Sequence, residues 1–119
     1  MSERDCQLYL VDILESGHAI QSYIKNVEFN TFSQDRMRYT AVIREFEIIG
    51  EAVGKLPEDI KLKYPNVSWR EIKDFRNMLI HEYFGVDLRI VWHAIQQELP
   101  LLLKAVGLVL ADHKENNNG

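Results

Sequence analysis

Apolar side chains recur at steps of three and four along almost the whole chain, and that period admits only helices. Leu10, Ile13, Leu14, Gly17, Ile20 and Ile24 make one face of a first helix, expected over 3–27. Residues 28–33 read as a connection. A second helix is expected over 34–54, with Tyr39, Val42, Ile43, Phe46, Ile49, Gly50 and Val53 on its main face. Met37, Ala41, Ile48 and Ala52 form a weaker second face, so this helix is expected to be covered on two sides. Gly54 and Pro57 end it, and a short helix follows over 57–64, stopped before Pro65. Ser68, with Glu71 three residues on, has the capping-box spacing, and opens a helix that runs to 84 with Gly85 as its C-cap. Asp87 caps a last helix over 88–112, where Leu88, Val91, Ile95, Leu99, Leu102, Val106 and Leu110 form a near-heptad seam. Pro100 is expected to kink or divide it, because it removes a backbone donor. The expected fold is all-α: a bundle of four long helices plus a short helix, as one domain over 1–112 with a flexible tail over 113–119.

A chain of 119 residues has room for one core. Its 46% hydrophobic and 27% charged content is a globular balance, which excludes a disordered tail. The single cysteine, Cys6, excludes an intramolecular disulfide and a thiolate zinc cluster within one chain. The net charge of −4 argues against a protein that coats nucleic acid. Yet ten of the 14 cations lie within 34–89, beside ten acids, so a local basic site is allowed. The N-terminus has acids where a secretory signal needs a basic region. The longest apolar stretch is 13 residues, over 99–111, and Lys104 breaks it, whereas a membrane span needs about 20 residues. A soluble, cytoplasmic protein without a membrane partner is expected.

Most of the chemistry lies between Phe75 and Tyr83. On a helix, Ile72, Phe75 and Leu79 define the core face. Arg76 and Tyr83 lie along one edge of it, while Asn77 and His81, four apart, share the far side with Asp74 nearby. An arginine at a core edge needs a partner, and Glu47 and Glu51 on the second helix are both candidates. Arginine offers a fork of donors to phosphate, and histidine exchanges a proton near neutral pH, so the pair points to phosphate chemistry. The two are five residues apart, about 140° around a helix. One copy therefore presents one of each without convergence, and a two-fold dimer would bring two of each into one cleft. No metal site is expected: His81-Glu82 opens like H-E-x-x-H, but Gly85 stands where the second histidine belongs, and His18, His93 and His113 lack ligand spacing. Trp69 and Trp92 read as core or interface anchors, and Arg36, Arg38 and Arg44 as a basic rim or a solvated face.

Arg76-x4-His81-x-Tyr83 resembles the R-x4–6-H motif of the HEPN superfamily, with the x-Tyr extension of its HepT-like toxin branch. The run 41–52 resembles that family's second-helix signature, and 67–72 the lead into its motif helix. Asn77 directly after the arginine and the run 83–87 also fit, so the resemblance covers residues 27–100. It implies a helical bundle, a homodimer, and a metal-independent endoribonuclease without a cofactor, whose Arg and His motifs from two protomers line one cleft. It further implies the toxin of a type VII toxin–antitoxin pair. A cognate minimal nucleotidyltransferase would neutralise it by transferring AMP from ATP to the motif tyrosine, Tyr83. Arg76 and His81 are then the expected catalytic residues, a phosphate clamp and an acid/base, with Asn77, Tyr83 and Glu47 in support. Asn77 is expected to orient His81. A second reading keeps the fold without the chemistry: a non-catalytic HEPN-type subunit that docks a nucleotidyltransferase and binds nucleotide or RNA without cutting.

Overall fold

The computed structural model describes residues 2–82 and 85–118, and their side chains except those of residues 3 and 113–118. Among the described residues there is no strand. The elements are α1 (Glu3–Tyr23), α2 (Phe29–Gln34), α3 (Arg36–Lys55), α4 (Glu58–Lys63), α5 (Trp69–His81), α6 (Leu88–His93) and α7 (Leu99–Asn118), with a π-helical turn, Ala94–Glu98, joining the last two. The joined unit α6–π–α7 is the fourth long helix of the expected all-α bundle. Helix α3 packs between α1 and α5, and α7 packs on α1.

The core is the set of periodic positions. Leu10, Ile13 and Ile20 of α1, Val42, Ile49 and Val53 of α3, Val91 of α6, and Leu99, Leu102 and Val106 of α7 are fully buried. Each contributes roughly 1.5–3 kcal/mol by leaving water. Caps fix several starts: the side chains of Ser2, Asp35 and Asp87 accept from backbone N–H groups at Asp5, Arg38 and Arg89. The amide N–H and guanidinium of Arg89 hold the Asp87 carboxyl below the usual carboxylate range. Between α1 and α3, Tyr23 donates to Glu45 Oε2 at 2.8 Å, and the carboxylate it bonds raises the tyrosine pKa.

Several boundaries depart from the helical period. Helix α1 stops at Tyr23, and Asn26 carries the turn at φ 60°, a conformation asparagine tolerates. The expected connection over 28–33 is helix α2. Its Phe32 is fully buried, 5.1 Å from the Trp92 ring and 6.5 Å from Tyr39. Gly54 and Gly85 do not cap helices. Helix α3 runs past Gly54 to Lys55, α5 ends at His81 with Glu82 as its cap, and neither glycine has a positive φ. Ser68 precedes α5 as expected, but its side chain makes no capping hydrogen bond.

The last helix changes its winding before Pro100, and Pro100 itself lies inside α7. The turn before it is wound one residue wider, with Leu99 N–H reaching Ala94 O, and the helix continues. The continuous stretch Leu88–Asp112 is thereby long and apolar enough, by length and composition, to cross a membrane, which the 13-residue limit did not anticipate. Its Val91, Ile95, Leu99, Leu102, Val106 and Val109 are buried in the bundle, which is how a core helix uses such a surface.

Candidate active site

Helix α5 carries the motif and lies on α3, with Phe46 and Phe75 meeting edge to face at 5.2 Å. Arg76 leans on α3 where a side chain is missing. A Cβ built at Gly50 would collide with Arg76 Cβ and lie 2.6 Å from its Cγ. A mid-helix glycine costs about 1 kcal/mol against alanine, so its presence in α3 calls for a packing reason. The arginine stem is that reason.

The head of Arg76 is held from two helices. Nη2 donates to Glu51 Oε2 at 2.6 Å, and Nη1 donates to Asn77 Oδ1 at 3.0 Å. Nε is buried and has no hydrogen-bond partner among the described residues. Leaving one donor so costs about 1–3 kcal/mol, which the bonds at the two Nη atoms offset. The side chain is 31% exposed, so the guanidinium edge still meets solvent.

Glu47 is therefore not the partner of Arg76. Its carboxylate pairs with Arg44, one turn earlier on α3, at 3.4 Å, and Glu51 takes the motif arginine. Asn77 likewise spends its amide oxygen on Arg76 rather than on His81.

A groove of about 350 Å³ opens over Arg76, floored by Ile48 and Ile80 and edged by Tyr9, Asp12 and Arg44. Glu47 and Ile80 also line a second depression of about 660 Å³ that reaches Arg36 and Val86, so the two share a wall. Tyr9 and Asp12 come from α1, which the motif does not announce. His81 is the last residue of α5 and is exposed. Among the described residues no hydrogen bond joins Arg76 to His81. Tyr83, the expected modification site, lies outside the described residues.

Trp69 and Trp92 belong to the structure. Trp69 is buried and donates its indole N–H to Tyr64 O at 3.0 Å, and Trp92 packs on Phe29 and Phe32.

Comparison with known proteins places this arrangement. The family model described as "Ribonuclease HepT-like" matches residues 13–109. The Methanocaldococcus jannaschii protein named "Putative RNase MJ1380" is 41% identical over 109 residues, covering 92% of this chain and 100% of its own. The Thermococcus cleftensis protein named "Probable ribonuclease HepT" is 42% identical over 94 residues, covering 79% of this chain and 86% of its own. A Caldanaerobacter subterraneus protein named "Putative RNase TTE0752" is 42% identical over 106 residues, covering 89% and 95%. No solved structure matches at the same stringency. The matched span contains α3, α5 and every residue that holds Arg76, and the chain belongs to the HepT-like ribonuclease family.

Proposed function

We propose that the chain is a cytoplasmic, metal-independent endoribonuclease, the toxin of a toxin–antitoxin pair, whose site forms between two copies. The carrying observation is the guanidinium of Arg76, tethered at Nη1 and Nη2 beside an open groove, with His81 five residues further along the same helix. RNA supplies its own nucleophile, the 2′-OH. Attack on the adjacent phosphorus needs a base for that proton, an acid for the departing 5′-oxygen and donors for the added negative charge. Arg76 serves the charge and His81 the proton. Two copies of His81 in one cleft divide the base and acid roles, which fits their exposure at the helix end. The products are a 2′,3′-cyclic phosphate and a 5′-hydroxyl. No step in this chemistry calls for a metal.

The regulatory half of the reading is transfer of AMP from ATP to the Tyr83 hydroxyl by a cognate nucleotidyltransferase, with pyrophosphate leaving. The adduct adds a bulky anion to the motif, whose charge competes with RNA phosphate for the arginine. Induced expression with and without a cognate nucleotidyltransferase tests this. Growth arrest that requires His81, relief by the partner, and the mass of AMP on Tyr83 are expected, and Tyr83→Phe stays toxic in the partner's presence. No arrest, with RNA still bound, returns the non-catalytic subunit. An AMP adduct on the phenylalanine variant removes Tyr83 as the modified residue.

A further inference from the structure

We propose that Gly50 and Glu51 of α3 are the positioning residues of Arg76: the glycine admits the stem and the glutamate aims the head. The proposal rests on the reading of Arg76 as the phosphate contact of a ribonuclease and says what makes that contact accurate.

The stem comes first. The atoms that a side chain at position 50 would strike are Arg76 Cβ and Cγ, with Cα at 3.5 Å. These are the root of the side chain. They cannot swing aside as a side-chain tip can: a new χ1 moves Cγ but leaves Cβ in place, so relief needs a wider spacing of α3 and α5. That shift moves the guanidinium.

The head is fixed by complementary bonds. Guanidinium has five N–H groups. One goes to Glu51, one to Asn77, and the Nε–H is buried. Two remain, one on each Nη, as donors for a phosphate. Glu51 on α3 and Asn77 on α5 hold the plane from two helices, so the remaining donors are presented in one orientation. A carboxylate serving only to neutralise the arginine would need no such division of donors. Neighbouring acids do not substitute: Glu47 is drawn to Arg44, and Asp12 sits on α1 across the groove.

The test is single-turnover cleavage of a short RNA by the full chain, together with binding of the same RNA carrying 2′-O-methyl groups. Glu51→Ala should lower the cleavage rate about 10- to 100-fold, as expected when a reacting contact shifts by about an ångström. Its effect on binding should be smaller. Glu51→Gln should recover most of the rate, because an amide oxygen still accepts from Nη2. In an Arg76→Ala background, Glu51→Ala should change nothing further, since its partner is already gone. Gly50→Ala should fall at least as far as Glu51→Ala; should that variant not fold, the Glu51 series decides. Glu51→Ala cutting at the wild-type rate or faster overturns the proposal, because the carboxylate then only competes with phosphate. So do Glu51 and Arg76 effects that multiply. If Arg76→Ala itself cuts like wild type, the phosphate-contact reading falls and takes the positioning role with it. Arg76→Ala impaired beside an unimpaired Glu51→Ala removes the positioning role alone.

Discussion

Two glycines do the same geometric task on opposite sides of the bundle. Gly17 of α1 lets α7 come close, and a Cβ there would strike the methyl ends of Leu103, with Cδ1 at 3.0 Å. Gly50 of α3 lets α5 come close, and a Cβ there would strike the root of Arg76. At the first site the guest is a buried leucine and the gain is apolar packing. At the second the guest is a half-buried arginine whose head is held by Glu51 and Asn77 above a groove. Close approach buys stability on one face and an aimed charge on the other. The collision partner also differs in what it can do: a methyl end can turn away, a Cβ cannot.

That contrast can be sharpened by removing each guest or its support. Arg76→Ala should produce the largest change, a loss of RNA cleavage of about 100- to 1,000-fold, the scale of losing a donor to developing charge. Its circular dichroism and thermal midpoint should stay close to wild type, and a collapsed fold would make Arg76 a structural residue instead. Phe32→Ala belongs wholly to the packing side. It empties a fully buried site and should cost about 3–5 kcal/mol in a urea titration. Gly17→Ala should change stability by only about 1 kcal/mol, because the helix-propensity gain of alanine offsets the rotation forced on Leu103. Cleavage per folded molecule should be unchanged in both, and a selective loss of cleavage in either would erase the division of labour.

The smallest effect is expected at the start of the last helix. The Asp87 pKa lies below its ordinary value because Arg89, through its amide N–H and its guanidinium, bonds the ionised form. A group depressed on folding stabilises above its unfolded pKa and loses that contribution as pH falls through the folded one. Urea midpoints of wild type and Asp87→Asn should therefore differ near neutral pH and converge in acid. A gap that persists in acid would mean that the cap does not act through the carboxylate.

The long helices were legible because burial and period coincide: the main-face positions of α1, α3 and α7 are buried or half-buried, whereas Met37 on the expected second face of α3 is 85% exposed. Helix α2 was not, because Asn30, Thr31 and Ser33 favour turns and the segment is held by Phe32 against Trp92, a partner 60 residues away. Gly54 and Gly85 carried the composition of a C-cap, but no left-handed residue is needed where Leu56 and Glu82 close the helices. Pro100 signalled a disturbance of the helix, which takes the form of a π turn just before it. At the site, the period put Arg76 at the edge facing α3 and left two glutamates in contention. Glu51 takes the arginine, while Glu47 engages Arg44 through a local pairing that the sequence left open. The i,i+4 rule paired Asn77 with His81, whereas the long Arg76 side chain turns back to its immediate neighbour. The one signal that could have located the arginine's seat was Gly50 itself, an interior glycine on the main apolar face of α3.

The central claim is that Arg76 and His81 cut RNA using the substrate's own hydroxyl. The most direct measurement is cleavage of a defined RNA by purified protein in EDTA, with the new ends identified. Wild type should cut and leave 2′,3′-cyclic phosphate and 5′-hydroxyl ends, while Arg76→Ala and His81→Ala should each lose the activity. Cleavage abolished by EDTA, 5′-phosphate ends, or a His81→Ala variant as fast as wild type would contradict it.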